Sequence, residues 1–191
     1  SGLGCMDLKT KDFTSTFHKR KILSDHIIYT IYEDSKHYIW IGTADGLFRL
    51  NPATKEIMSW NIDNGLPSEV ICGILEDPKG NLWISTNHGL SHFNLTRNTF
   101  NNYFSYDGLQ GNEFSKNVSL AYKPDDLMFA GPNGITYFSP NKIIPIKKKL
   151  QIRVVGMRVK GKYIHQGDKS GPFNIVSGSV SEAKTFHLSA K

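Results

Sequence analysis

The stretch Trp40-Ile41-Gly42-Thr43-Ala44-Asp45-Gly46-Leu47-Phe48-Arg49-Leu50 returns forty-three residues later as Trp83-Ile84-Ser85-Thr86-Asn87-His88-Gly89-Leu90-Ser91-His92-Phe93. Forty-five residues further on, with more substitution, it is Met128-Phe129-Ala130-Gly131-Pro132-Asn133-Gly134-Ile135-Thr136-Tyr137-Phe138. Each copy reads as a short apolar strand, a turn closed by Gly46, Gly89 or Gly134, and a second short strand. Glycine takes positive φ without a Cβ clash, and Asp- or Asn-rich turns ending in Gly join antiparallel neighbours. The phase extends beyond the motif. Ile31-Tyr32-Glu33-Asp34 precedes Trp40 at the spacing at which Ile74-Leu75-Glu76-Asp77 precedes Trp83, and Asp63-Asn64-Gly65-Leu66 recurs as Tyr106-Asp107-Gly108-Leu109. Even residues 2–10 run in phase with 46–54. A period of about forty to forty-five residues holding four strands is the spacing of β-propeller blades.

The expected fold is therefore all-β: a partial β-propeller of about three four-stranded antiparallel blades over 1–142. Residues 2–17 read as the last two strands of one blade. A full blade over 26–61 has strands near 27–33, 38–43, 46–51 and 56–61, and a second over 69–104 has strands near 70–76, 81–86, 89–94 and 100–104. A third begins near Phe114, continues through 127–130 and 134–138, and stops at 140 without an outer strand. Residues 143–149 read as a linker, and 150–191 as the truncated start of another β domain, a β-sandwich. No segment of ten or more residues shows a clean helical period. Tyr38-Ile39-Trp40-Ile41 is apolar on both faces, which suits a sheet buried on both sides between neighbouring blades. Trp40 and Trp83 then fill inter-blade space, each contributing about 2–3 kcal/mol of apolar transfer.

With 39% hydrophobic and 12% aromatic residues, the 191-residue chain has enough apolar material for a real core. Its apolar runs are too short to span a membrane as a helix, and its first residues lack a signal-peptide pattern. The net charge of +6 invites a nucleic-acid reading. Much of that charge, however, sits in one stretch (Lys142, Lys147, Lys148, Lys149, Arg153, Arg158, Lys160 and Lys162) that reads as a solvated linker and strand face. No recognition helix, RNA-binding sheet motif or zinc finger accompanies it, so no nucleic-acid partner is expected. Cys5 aligns in phase with Arg49 and Cys72 with Tyr29, on non-equivalent strands, so the two cysteines are not expected to be joined. His88 and His92, four apart on a turn and a strand, do not make a metal pair, and no metal or cofactor is expected.

In a propeller, the turns between second and third strands share one face with the connections between blades. The turns supply Asp45, Asn87, His88 and Asn133; the connections supply Asp63, Asn64, Asp107, Asn112 and Glu113. Polar groups converging there suit a hydroxyl-rich ligand, although Asp and Asn are also what such turns need for their own hydrogen bonds. His88, which breaks the repeat against Asp45, is the better ligand candidate. Glu33-Asp34 and Glu76-Asp77 recur in each blade, which fits caps on hairpin turns and not a single acid–base pair. Ser-His-Asp nucleophile geometry has no motif context.

The repeated Glu-Asp, the Trp-Ile-Gly-Thr-like strand and the Gly-Leu strand resemble the two-component regulator propeller repeat. The third unit, with Asp107-Gly108-Leu109, Asn112-Glu113-Phe114, Met128 to Ile135 and Phe138-Ser139-Pro140, is similar to that family's final blade. The segment from Leu150 is similar to the start of the immunoglobulin-like triple-tyrosine domain that follows such propellers. The resemblance implies a periplasmic sensor of a membrane-bound histidine kinase, often a hybrid, that detects carbohydrate fragments and controls polysaccharide-use genes. This chain has no phosphoacceptor-His helix and no ATP-lid motif, so kinase activity and membrane attachment belong to other parts of such a parent. The fragment itself is not expected to be an enzyme. The alternative is a carbohydrate-binding or carbohydrate-active propeller without a signalling role. Three blades' worth of strands do not close a ring, so apolar blade faces are expected to be exposed, and copies to associate through them.

Overall fold

The computed structural model describes residues 3–14, 26–143, 156–170 and 172–176. The chain divides into two compact units, Ser1–Ile143 and Ile144–Lys191. The first unit opens with a hairpin of β1 (Cys5–Met6) and β2 (Phe13–Thr14). The first full blade is the antiparallel meander β3 (Ile28–Glu33), β4 (Ile39–Thr43), β5 (Leu47–Leu50) and β6 (Ile57–Trp60). The second is β7 (Ile71–Glu76), β8 (Leu82–Thr86), β9 (Gly89–Asn94) and β10 (Thr99–Tyr103). Among the described residues the third has three strands, β11 (Ser119–Lys123), β12 (Asp126–Gly131) and β13 (Gly134–Phe138). Helical structure among the described residues is limited to three short 3-10 turns, Ile62–Asn64, Ser105–Asp107 and Pro140–Lys142.

The repeat seen in the sequence is a repeat of register. Arg49 pairs with Met58 and Leu50 with Ile57 in the first blade; Cys5 pairs with Thr14 and Met6 with Phe13, each forty-four residues earlier. The β1–β2 hairpin is thus the outer half of a blade. The ladder between first and second strands slips at the same place in both full blades, between Ile28 and Thr30 and between Ile71 and Gly73. The hairpin turns are fixed by the repeated aspartates. Asp34 Oδ1 accepts the Lys36 and Tyr38 amides, and Asp77 Oδ1 accepts those of Lys79 and Asn81, at 2.9–3.0 Å.

First strands of successive blades touch, which places β3, β7 and β11 innermost. Trp40, Leu47 and Trp60 of the first blade pack on Ile71, Ile74, Leu82, Ile84 and Phe93 of the second. Phe93 meets the Trp40 ring edge-on at 6.1 Å and stacks on Phe100 at 4.1 Å. At the next junction Leu75, Trp83 and Leu90 meet Phe114, Leu127 and Phe129, with the Phe138 ring 4.7 Å from Trp83. The other face of the first blade buries Ile41, Phe48 and Leu50 against Leu3 and neighbouring strand residues.

The third blade differs from the expectation at its start. Phe114, expected to begin its first strand, is buried in the preceding connection, and the strand starts at Ser119. Leu120 and Ile135 stand where Leu75 and Leu90 stand in the second blade. They are 56% and 63% exposed, against 7% and 1% for their counterparts, because they lie on the face that the following blade would cover. An open depression of about 280 Å3 on this face is lined by Val118, Leu120, Met128, Ala130 and Ile135.

Three equivalent glycines show that the third blade has no fourth strand among the described residues. Gly46, Gly89 and Gly134 have φ of 122°, 109° and 130°. A Cβ at Gly46 would stand 2.7 Å from the Trp60 carbonyl oxygen, and one at Gly89 would stand 2.7 Å from that of Tyr103. At Gly134 it would meet nothing within 4 Å.

Among the described residues of the second unit, β14 (Arg158–Val159) pairs with β15 (Lys162–Tyr163), and β16 (Lys169–Ser170) with β17 (Phe173–Asn174). Ile164, Ile175 and Val176 form a small core with Met157 and Val159. Of the linker expected over 143–149 only Ile143 is described, and residues 150–155 and 177–191 of the expected β-sandwich lie outside the described residues.

Candidate ligand-binding face

The turns between second and third strands are built alike in the two full blades. The buried Thr43 hydroxyl donates to the Gly46 carbonyl at 2.9 Å and accepts the Asp45 amide at 3.0 Å. Thr86 does the same for Gly89 and His88. In the third blade Gly131 replaces the threonine, and Gln110 takes over. Its Oε1 accepts the Asn133 amide at 3.0 Å, and its Nε2 donates to the Glu113 carbonyl at 2.7 Å. These turns also bond to the connections: Gly46 N–H to the Glu69 carbonyl, Asn87 N–H to that of Val70, and Gly89 N–H to that of Asn112. Turns and connections therefore share one face of the unit.

Most of the predicted site residues are occupied in holding that face together. Asp45 Oδ2 is 2.8 Å from His26 Nδ1. The Asn64 side chain accepts the Asn61 amide, Asp107 accepts that of Phe104, and Asn112 accepts that of Ser105, at 2.7–2.9 Å. Asn87 Oδ1 accepts the Ser68 hydroxyl. His88 packs its ring 5.7 Å from that of Phe104, and the Asn133 amide group lies over Gly111. Asp63, Glu113, Asn87 and His88 are exposed. The sequence placed these residues on one face, but it did not indicate how many would serve as caps.

The structure brings other residues to the same face. The Lys116 ammonium lies 3.8 Å from the centroid of Tyr29, on the innermost strand of the first blade. Asn117 N–H donates to the Cys72 carbonyl at 2.6 Å, tying the third blade's entry to the second blade's inner strand. Burial pushes the Cys72 thiol up to about 11, against the opposing pull of Lys116, and the thiol is free. The sequence signal for Lys116 was a break in phase: the equivalent positions are Ile28 and Ile71.

The opposite face carries the hairpin aspartates. Trp40 Nε1 donates to Asp34 Oδ2 at 2.7 Å. In the second blade His92 stands at the position of Arg49; it stacks on Trp83 at 4.7 Å and holds Asp77 Oδ2 at 3.3 Å. Burial raises the Asp77 carboxyl, but His92 and the Asn81 and Lys79 amides outweigh it and leave the group below the usual carboxylate range. Among the described residues no cluster of three His, Cys, Asp or Glu could hold a metal ion, and no helix is long and apolar enough to cross a membrane.

Four-stranded meanders joined inner strand to inner strand, with the aromatic of one blade seated on the sheet of the next, define a β-propeller. Residues 22–45 and 65–88 match the model of the two component regulator propeller family. Over 96 residues, half of this chain, the sequence is 32% identical to histidine kinase P4 of Formosa agariphila, and that stretch covers 7% of the relative. The fold is similar to the extracellular domain assigned to hybrid two component system BT3049 of B. thetaiotaomicron. There the TM-score is 0.65 and the identity 21%, over 87% of this chain and 24% of that one. It is also similar to the extracellular domain assigned to one component system BT4673 of the same organism, with a TM-score of 0.52 and 20% identity over 74% of this chain and 21% of that one. The chain thus spans a quarter or less of each of these proteins.

Proposed function

We propose that this chain is part of the extracytoplasmic, periplasmic sensor region of a two-component histidine kinase. On this reading it binds an oligosaccharide fragment, and the parent passes the signal to a cytoplasmic kinase and a transcriptional response. The observation that carries the reading is the two matched propeller repeats on a fold like that of extracellular domains from two component systems. The polar face of turns and connections around Asp45, Asn87, His88, Asp107, Asn112 and Asn133 is where such a ligand would sit, and 150–191 would open the immunoglobulin-like domain that follows. A thermal-shift screen of the chain against pectic, mannan, arabinan and xylan fragments tests this. A saturable rise in Tm with one fragment class is expected, and no shift with any fragment would defeat the carbohydrate assignment. Catalytic release of product from these fragments, lost on changing Glu33 or Glu76, would favour a carbohydrate-active propeller without a signalling role.

A further inference from the structure

The second blade departs from the first at three equivalent positions on the face of turns and connections. Where the first blade has Asp45, Asn61 and Asp63, the second has His88, Phe104 and Tyr106. Three acid or amide side chains have become three rings in contact. The Phe104 ring lies 5.7 Å from that of His88 and 5.5 Å from that of Tyr106. His88 is exposed, Phe104 is half-buried, and Tyr106, at 81%, is the most exposed of the large hydrophobic side chains among the described residues.

The backbone beneath these rings is held in place. In the first blade Asn61 caps the 3-10 turn Ile62–Asn64 by accepting the Asp63 amide at 3.1 Å. Phe104 has no such acceptor, and the equivalent turn Ser105–Asp107 is fastened from other positions. Asn112 Oδ1 accepts the Ser105 amide at 2.7 Å, Asp107 Oδ2 accepts that of Phe104 at 2.9 Å, and Gly108 closes the turn at a φ of 101°. The Phe104 ring is laid against the Gly89 turn, where a Cβ would stand 3.0 and 3.1 Å from its Cδ1 and Cε1. An aromatic ring carried on so fixed a turn has little order left to lose on binding. Asp107 is exposed in the same turn, and its Oδ1 accepts no hydrogen bond among the described residues. A ring face for C–H groups and a carboxylate oxygen for a hydroxyl are the two things a sugar residue can use. With about 200 Å2 to each ring, the patch falls short of the roughly 800 Å2 that a stable protein partner covers. No Lys or Arg occurs between Arg97 and Lys116, whereas Asp107 and Glu113 do, so this segment is acidic and suits a neutral ligand.

We propose that Tyr106, backed by Phe104 and His88, is a stacking platform for one residue of a neutral pyranose oligosaccharide. The C–H face of the sugar lies on the Tyr106 ring, and one of its hydroxyls donates to Asp107. The inference rests on the oligosaccharide reading above and gives it a subsite and a class of sugar.

Calorimetric titration of the chain with cellotetraose, xylotetraose, mannotetraose and galactotetraose, and with trigalacturonate as the charged counterpart, tests it. One neutral tetrasaccharide is expected to bind about tenfold or more tightly than trigalacturonate. Tyr106→Ala should weaken that sugar by about tenfold or more, and Tyr106→Trp should keep it. Because the ring is exposed, neither change should move the Tm of the free protein. Tyr106→Ala binding like the unaltered chain, or trigalacturonate binding as tightly as every neutral sugar, would overturn the inference and leave the oligosaccharide reading standing. No binding by any of these sugars would also overturn it, and a blank thermal-shift screen besides would overturn both.

Discussion

Gly46, Gly89 and Gly134 close equivalent turns, yet a methyl group added to each meets a different neighbourhood. All three have φ between 109° and 130°, so alanine at any of them places an L-residue in backbone territory that costs about 1–3 kcal/mol. At Gly134 that strain is the whole effect, since nothing lies within 4 Å of the new Cβ. At Gly89 the methyl also falls 2.7 Å from the Tyr103 carbonyl oxygen and 3.0 and 3.1 Å from Phe104 ring carbons. At Gly46 it falls 2.7 Å from the Trp60 carbonyl oxygen. Carbonyl backbone cannot rotate aside, so β6 or β10 must shift and strain its ladder, adding about 1–3 kcal/mol of overpacking. Gly134→Ala should therefore lose about 1–3 kcal/mol, and Gly46→Ala and Gly89→Ala at least about 1 kcal/mol more. Urea unfolding followed by tryptophan fluorescence measures all three, with midpoints compared at constant m-value. If the three losses agree within about 0.5 kcal/mol, the fourth-strand carbonyl is not what forbids a side chain here, and the account of the empty strand position fails.

The low Asp77 carboxyl contributes stability above its unfolded value that is lost as pH falls through the folded one, so the acid limb of the unfolding curve should flatten in Asp77→Asn. His92→Ala should reduce stability, moving that limb to higher pH, as read by Tm against pH. Cys72, buried and with its thiol raised to about 11, should resist alkylation at neutral pH until the chain is unfolded, and unreduced mass spectra should show no bridge between it and Cys5. Light scattering at tens of micromolar should show association of copies through the exposed Leu120 and Ile135 face, reduced by Ile135→Asp; a monodisperse monomer would defeat that expectation.

The blades were legible because their signals are local. A strand, an Asp-capped hairpin and a Gly-closed turn are each specified within about a dozen residues, and repetition fixed their phase. The third blade's entry was read less well, for a buried aromatic such as Phe114 looks the same on a strand as in a connection that packs under one. At the site, sequence placed Asn64, Asp107 and Asn112 on one face, but capping and ligand binding require the same side chains. Only the hydrogen bonds separate the two uses. Lys116 was overlooked because its partner Tyr29 belongs to a blade two repeats earlier, and no local pattern announces such a contact.

The aromatic that fills each junction belongs to the earlier repeat, while its socket is the sheet of the later one: Trp40 enters the second blade and Trp83 the third. No blade is therefore a self-sufficient folding unit. A run of n blades holds n − 1 such junctions, and its free energy accrues with couplings between nearest neighbours more than with strands. A substitution at one socket should loosen the blade on either side and fade beyond them, so that damage stays local while the growth of the array remains cooperative.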